Sequence, residues 1–308
     1  MKRKIKSITL NAPAKVNFAL EVLIRRIDGY HNIRTIIQTI NLFDKVTVRT
    51  IKEPHIKLKC FWSDRNNLKP PPQKNLAYRA AVLLRHYFDI KEGVEIILKK
   101  RIPAGAGLGG GSSDAAIVLK GLCILWGKKL KKDVLNKIAL KIGADVPFFL
   151  KGGCCLAEGV GEKIKPLKTE WDEKPLWLVI VKPDFSTSTR QVYSSFDSLK
   201  KIKTKSQRTK KNKLPGILKL TDLDFFNDLE RVVLKTHPVI GEIKRRLVLS
   251  GAYSSLMSGS GSSVFGIFKK KLEALKAVKD LRKLQIKNVH ISATILSTTL
   301  SMSKGLVM

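Results

Sequence analysis

The sequence predicts an α+β chain in two halves, and three observations carry that prediction. A glycine-rich segment, Pro103–Ser113, stands between a strand pattern and a helical one. The continuous apolar run Pro175–Val181 has the composition of a strand buried on both faces. From residue 240 onward the pattern runs helix, strand, helix, strand, the order of a small α+β layer. The 308 residues suffice for one large domain or two modest ones, and 44% apolar content marks a globular chain. The acidic, proline-bounded stretch Thr169–Lys174 is the expected seam, dividing the chain into 1–170 and 171–308.

Ile5–Leu10 and Lys15–Ile24 alternate as strands, with Pro13 interrupting between them. Asp44–Ile51 is a third strand. The patch Lys69-Pro70-Pro71-Pro72-Gln73 breaks the chain, and Asn75 caps a helix carrying Leu76, Ala80, Leu83, Leu84 and Tyr87 at helical spacing. Gly93–Leu98 is a strand that leads into the glycine-rich segment, and Asp114–Trp126 is the helix that leaves it. Asp133 reads as the cap of a second helix, Asp133–Ile142, which Gly143 ends. Cys154-Cys155-Leu156, after Gly152-Gly153, reads as a buried strand. Thr187–Leu199 is a helix feeding a lysine-rich loop. Ile240–Leu249, Ser263–Phe268, Leu272–Leu284 and Val289–Leu296 are the closing helix, strand, helix and strand, and residues 304–308 form a frayed end.

Composition narrows the function. No apolar run approaches the ~18 residues of a membrane helix. The basic start Met1–Lys6 lacks the apolar segment of a secretory leader, so no membrane partner is expected. Cys60, Cys123, Cys154 and Cys155 have no zinc-type spacing, so no metal site is assigned; buried thiols fit a reducing, cytoplasmic setting. The net charge is +34, from 59 basic and 25 acidic residues. Its densest block, Lys200–Lys213, holds no aromatic residue on which a base would stack. It reads as a solvated loop, with no specific nucleic-acid partner expected. The overall field favours polyphosphate ligands.

The glycine-rich segment carries the chemistry. Five glycines occupy seven positions, Gly105, Gly107, Gly109, Gly110 and Gly111, so backbone can approach a ligand closely. A helix starting there aims free N–H groups at a phosphate, and Ser112 and Ser113 add hydroxyls that donate or hold magnesium. The nucleotide triphosphatase loop needs Gly-Lys-Ser/Thr, where this chain has Gly-Ser-Ser. A dinucleotide fold needs an acidic residue about twenty positions on, where Leu125–Lys132 is basic. The His-Arg-Asp and Asp-Phe-Gly motifs of protein kinases do not occur.

Pro103-Ala104-Gly105-Ala106-Gly107-Leu108-Gly109-Gly110-Gly111-Ser112-Ser113-Asp114 resembles the phosphate loop of the GHMP superfamily of small-molecule kinases, which includes galactokinase, homoserine kinase and mevalonate kinase. The likeness extends to Ala12–Leu20, Arg26–Asn32, Ile37–Ile40, Ile142–Phe149, Asn227–Glu230 and Ser258–Gly266. Asp28-Gly29-Tyr30-His31 together with Gly143-Ala144-Asp145-Val146-Pro147-Phe148 resembles the branch that acts on a cytidylyl sugar alcohol.

The resemblance implies an N-terminal β-α domain with a left-handed crossover and a C-terminal ferredoxin-like α+β domain clasping the substrates between them. It implies ATP as phosphoryl donor, held by Pro103, Ala104, Gly105, Ala106, Gly107, Leu108, Gly109, Gly110, Gly111, Ser112 and Ser113, with Mg2+ as its counter-ion. It implies Asp145 as general base, with Lys15 beside it steadying the developing alkoxide and the phosphoryl group. Tyr30 and Tyr193 would stack on the cytosine, His31, placed on a turn, would read its edge, and Asn17 would touch the sugar alcohol. A monomer or weak homodimer is expected. The competing roles are a cap for Asp145, core packing for Tyr30 and Tyr193, and one more exposed lysine for Lys15. Ser258–Gly261 either closes on the phosphates or only joins a helix to a strand. Asp184-Phe185 departs from the family pattern, which has Gly and a small residue there.

Overall fold

The computed structural model describes residues 6–63, 71–200, 216–286 and 288–296. The basic start up to Ile5, the break at Lys69-Pro70, the block from residue 201 to 213 and the tail at 304–308 lie outside the described residues. No helix among the described residues is long and apolar enough to cross a membrane.

The first sheet is built on a long antiparallel hairpin, β1 (Ser7–Arg25) and β2 (His31–Ile51). An Asp-Gly turn closes it: Gly29 takes φ +83°, and the Asp28 carboxylate accepts from the Tyr30 N–H at 3.1 Å. Pro13 does not divide β1 in two. The ladder shifts register between Pro13 and Ala14 and continues. Proline is tolerated because, among the described residues, β1 has a second neighbour only at Ala19 and Leu20, so this stretch is an edge.

The C-terminal part of β2 pairs with β4 (Gly93–Lys100), which pairs in parallel with β3 (Ile56–Trp62). The N-terminal part of β2 pairs instead with β5 (Cys154–Gly159), itself paired with β6 (Lys163–Pro166). Helices α1 (Leu76–Tyr87), α2 (Gly110–Leu125), α3 (Lys132–Ile142) and α4 (Val146–Lys151) accompany this sheet. Asn75 caps α1 as its sequence position predicts, accepting from Ala77 N at 2.9 Å. Asp133 is not the cap of α3; Lys131 holds that position and Asp133 sits in the first turn.

The second sheet has the antiparallel order β11-β7-β10-β9, from β7 (Trp177–Val181), β9 (Ser254–Met257), β10 (Val264–Phe268) and β11 (Val289–Ala293). Helices α5 (Thr189–Lys200), α6 (Glu230–Thr236) and α7 (Val239–Leu249) lie between β7 and β9, and α8 (Lys271–Lys283) between β10 and β11. This is the β-α-β-β-α-β order of the ferredoxin-like layer. A two-residue strand of the second half, β8 (Phe226–Asn227), joins the first sheet beside β1.

Three apolar clusters hold these layers. Ile8 and Ala12 of β1 pack with α1 and α2; beyond the register shift, Ala14, Val16 and Phe18 pack against Leu178, Ile180 and Phe265 of the second sheet. A third cluster lies between the second sheet and its helices. Fully buried side chains such as Phe18, Phe265 and Leu119 contribute ~1.5–3 kcal/mol each. Trp171, inside the expected seam, is buried in the cluster between the sheets and donates to Gln38 at 2.9 Å. Because Ala14, Val16 and Phe18 face the second sheet, Lys15 and Asn17 point the other way, into a cleft.

Candidate active site

The cleft has a volume of ≈ 1380 Å³ and takes its walls from both halves. The glycine-rich loop forms its floor. Helix α2 begins at Gly110, four residues before the expected Asp114, because Gly109 at φ +72° is its N-cap. Loop and helix start are therefore one structure, and Gly111 and Ser112 belong to the first turn. Ser113, by contrast, is fully buried, its hydroxyl has no partner among the described residues, and it does not line the cleft. Contrary to expectation, its hydroxyl does not face the cleft where phosphate or magnesium would lie.

Close packing fixes the loop. The Lys15 N–H donates to the Leu108 carbonyl at 3.0 Å, stitching the loop to β1. A Cβ on Gly107 would lie 2.0 Å from the Ser258 carbonyl oxygen, and one on Gly109 would lie 2.7 Å from Phe149 of α4. The Ser258 hydroxyl donates to the Gly107 carbonyl at 2.9 Å, and the Ser263 N–H to the Ala106 carbonyl at 3.2 Å. Ser258–Gly261 thus rests directly on the glycine-rich loop. It joins β9 to β10, strand to strand rather than helix to strand.

Lys15 and Asp145 meet across the cleft, Nζ to Oδ2 at 4.0 Å. The Lys15 side chain is only 6% exposed, so it is not one more surface lysine. Burial pushes its ammonium below the usual range, and the nearby Asp145 charge opposes that shift. Its Nζ donates to Asn17 Oδ1 at 2.7 Å, and Asn17 donates to the Thr35 hydroxyl at 2.8 Å. Asp145 stands at the N-cap of α4 yet makes no side-chain cap bond, and its carboxylate is 40% exposed. The capping role is therefore not the one the carboxylate performs.

Beneath the loop lies a buried cluster: Lys100 donates to both Asp44 and Asp114. Asp44 also accepts from the Ile102 N–H at 2.9 Å, while Asp114 Oδ1 has no partner among the described residues. Burial, with Asp44 adding and Lys100 opposing, pushes the Asp114 carboxyl up to about 7.

At the far end, Tyr30 is 63% exposed on the hairpin turn, so it does not pack in a core. His31 is not on the turn. It opens β2 with its ring buried, Nε2 2.6 Å from Asp197 Oδ1 and its centroid 5.1 Å from that of Tyr193. Tyr193 lines the same cleft from α5; burial first, then the Asp145 charge, pushes its phenol up. Lys15, Asn17, Tyr30, His31, Asp145, Tyr193 and residues 103–112 all line one cavity. Sequence reasoning missed Asp197, Arg25 and the Asp44–Lys100–Asp114 cluster. Asp197 had a signal: it follows Tyr193 by one helical turn, on the same face.

Family models match both halves: "GHMP kinases N terminal domain" over residues 75–153 and "GHMP kinases C terminal" over residues 209–287. The chain is 43% identical to a 4-diphosphocytidyl-2-C-methyl-D-erythritol kinase of Thermodesulfovibrio yellowstonii over 277 residues, covering 88% of this chain and 93% of that protein. It is 40% identical to the protein of that name from Clostridium perfringens, covering 94% and 99%. A crystal structure of 4-(cytidine 5'-diphospho)-2C-methyl-D-erythritol kinase superposes with a TM-score of 0.71 at 32% identity, covering 93% of this chain and 99% of that one. Homoserine kinase from Cytophaga hutchinsonii gives 0.69 at 18% identity, a likeness of fold.

Proposed function

The chain belongs to the GHMP kinases and, within them, to the 4-diphosphocytidyl-2-C-methyl-D-erythritol kinases; from that premise we propose that it transfers the γ-phosphoryl group of ATP to the 2-hydroxyl of 4-diphosphocytidyl-2-C-methyl-D-erythritol, a step of the non-mevalonate route to isoprenoid precursors. The observation that carries this reading is the continuity of the cleft. The helix start that suits a polyphosphate, the Lys15–Asp145 pair and the aromatic end with His31 share one cavity.

Phosphoryl transfer needs an aligned acceptor oxygen, neutralised charge and a destination for the hydroxyl proton. The N–H groups at the start of α2 and the Gly105–Gly111 backbone hold ATP's phosphates. The acceptor oxygen bonds to the γ-phosphorus as the bond to the β-phosphate oxygen breaks, and Asp145 takes the acceptor's proton. Lys15, held by Asn17 in a desolvated position, offers its charge to the transferring group. Tyr30 and Tyr193 flank the base and His31 reads it.

Magnesium would accompany ATP and neutralise phosphate charge. Ser112 and Asp145 are oxygen donors suited to a hard cation, and both line the cleft. No group of three His, Cys, Asp or Glu among the described residues would hold a metal by itself, so phosphates and water would complete its shell.

The test is product formation by the full chain with ATP and three alcohols: the cytidylyl methylerythritol, mevalonate and homoserine. Phosphorylation of the cytidylyl substrate alone is expected. Turnover of mevalonate or homoserine in its place would overturn the substrate assignment.

A further inference from the structure

We propose that Asp197 fixes the tautomer of His31, so that the ring offers a bare Nδ1 acceptor to the base and the cleft selects an amino-bearing pyrimidine over a carbonyl-bearing one. The inference rests on the cytidylyl reading above and assigns Asp197 as a positioning residue for specificity.

The geometry is that of an oriented imidazole. An ionised carboxylate only accepts hydrogen bonds, so the 2.6 Å contact between Asp197 Oδ1 and His31 Nε2 places the proton on Nε2. The Arg25 guanidinium stands 3.6 Å from the other carboxylate oxygen. A neutral ring protonated at Nε2 leaves a lone pair on Nδ1. His31 lines the cleft, and among the described residues its ring's hydrogen bond is the one through Nε2 to Asp197.

The ring cannot turn to offer its other edge. It is buried and leans on Tyr193 with an interplanar angle of 31°. Tyr193 and Asp197 lie one turn apart on α5, so one helix face of the second half holds the ring by its plane and by Nε2.

The consequence is chemical selection. Cytosine presents an amino group, which donates to Nδ1. Uracil presents a carbonyl oxygen at the same position, which sets lone pair against lone pair and leaves both unpaired in a partly dry site. Without Asp197 the two tautomers are free to exchange, and a ring protonated at Nδ1 accommodates uracil.

Two measurements test this on the full chain. In the ligand-free protein at pH 8, nitrogen-15 NMR of the imidazoles, with His31→Gln to assign the signal, should show His31 neutral and protonated at Nε2. An Nδ1-protonated ring, or an imidazolium, overturns the proposal. In kinetics, Asp197→Ala should lower the ratio of kcat/KM for cytidylyl over uridylyl substrate by about 10- to 100-fold, with the KM for ATP unchanged. An unaltered ratio in the folded variant also overturns it. Should the wild type turn over neither pyrimidine substrate, the kinase reading fails and the selectivity falls with it, while the NMR result still decides the Asp197–His31 bond.

Discussion

Gly107→Ala tests whether the glycine-rich loop is braced by the second half. Gly107 has φ +73°, and its added Cβ would lie 2.0 Å from the Ser258 carbonyl oxygen and 3.0 Å from that of Gly261. Three costs combine. The left-handed backbone costs alanine ~1–2 kcal/mol. Displacing packed backbone costs ~1–3 kcal/mol. The Ser258 hydroxyl bond to the Gly107 carbonyl, worth ~1 kcal/mol, is lost if the loops part. The expected loss is about 3–6 kcal/mol in urea unfolding, with weaker ATP binding by calorimetry if the loop shifts to relieve the clash. Gly127→Ala is the control: φ is +61° there, but nothing lies within 4 Å of the added carbon, so only the ~1–2 kcal/mol backbone cost remains. Equal losses in the two variants would refute the reasoning.

The other predictions concern the buried carboxyl and the base pocket. Asp114 has an ordinary value of 3.8 and is raised to about 7 in the fold, chiefly by burial. The folded state therefore holds this proton more tightly than the unfolded chain. That contribution is complete below about pH 4 and disappears as pH rises through about 7, a window of roughly three units and at most about 4 kcal/mol. Asp114→Asn should flatten the stability–pH curve in that window, and urea unfolding at several pH values with parallel curves for both proteins would contradict it. Tyr30→Ala should raise the KM for the cytidylyl substrate about 2- to 10-fold and leave the KM for ATP alone; a change confined to ATP would place Tyr30 elsewhere.

Local pattern revealed what local forces determine. The capped helix after Asn75, the apolar strand near Trp177 and the glycine-rich loop each follow from neighbouring residues, and the structure has all three. The long hairpin did not follow. Pro13 looks like a break in a one-dimensional pattern, and the lack of a second neighbour strand there among the described residues makes it harmless. The start of α2 is not legible locally, because Gly110 and Gly111 are poor helix formers; a Cβ on Gly110 would lie 3.1 Å from Ile102, so the surroundings suit glycine there. Likewise His31 reads as a turn residue until Asp197 and Tyr193 arrive from the other half. Lys15 and Asp145 were legible through family likeness, since no local rule joins residues so far apart in sequence. Their approach across the cleft then came from the β1 register and the start of α4.

In the proposed mechanism Asp145 takes the acceptor's proton beside a loop-bound ATP. Steady-state turnover of Asp145→Asn with ATP and the cytidylyl methylerythritol tests it most directly. A loss of at least ~100-fold in kcat is expected, with ATP affinity nearly unchanged. Turnover close to that of the wild type would contradict it.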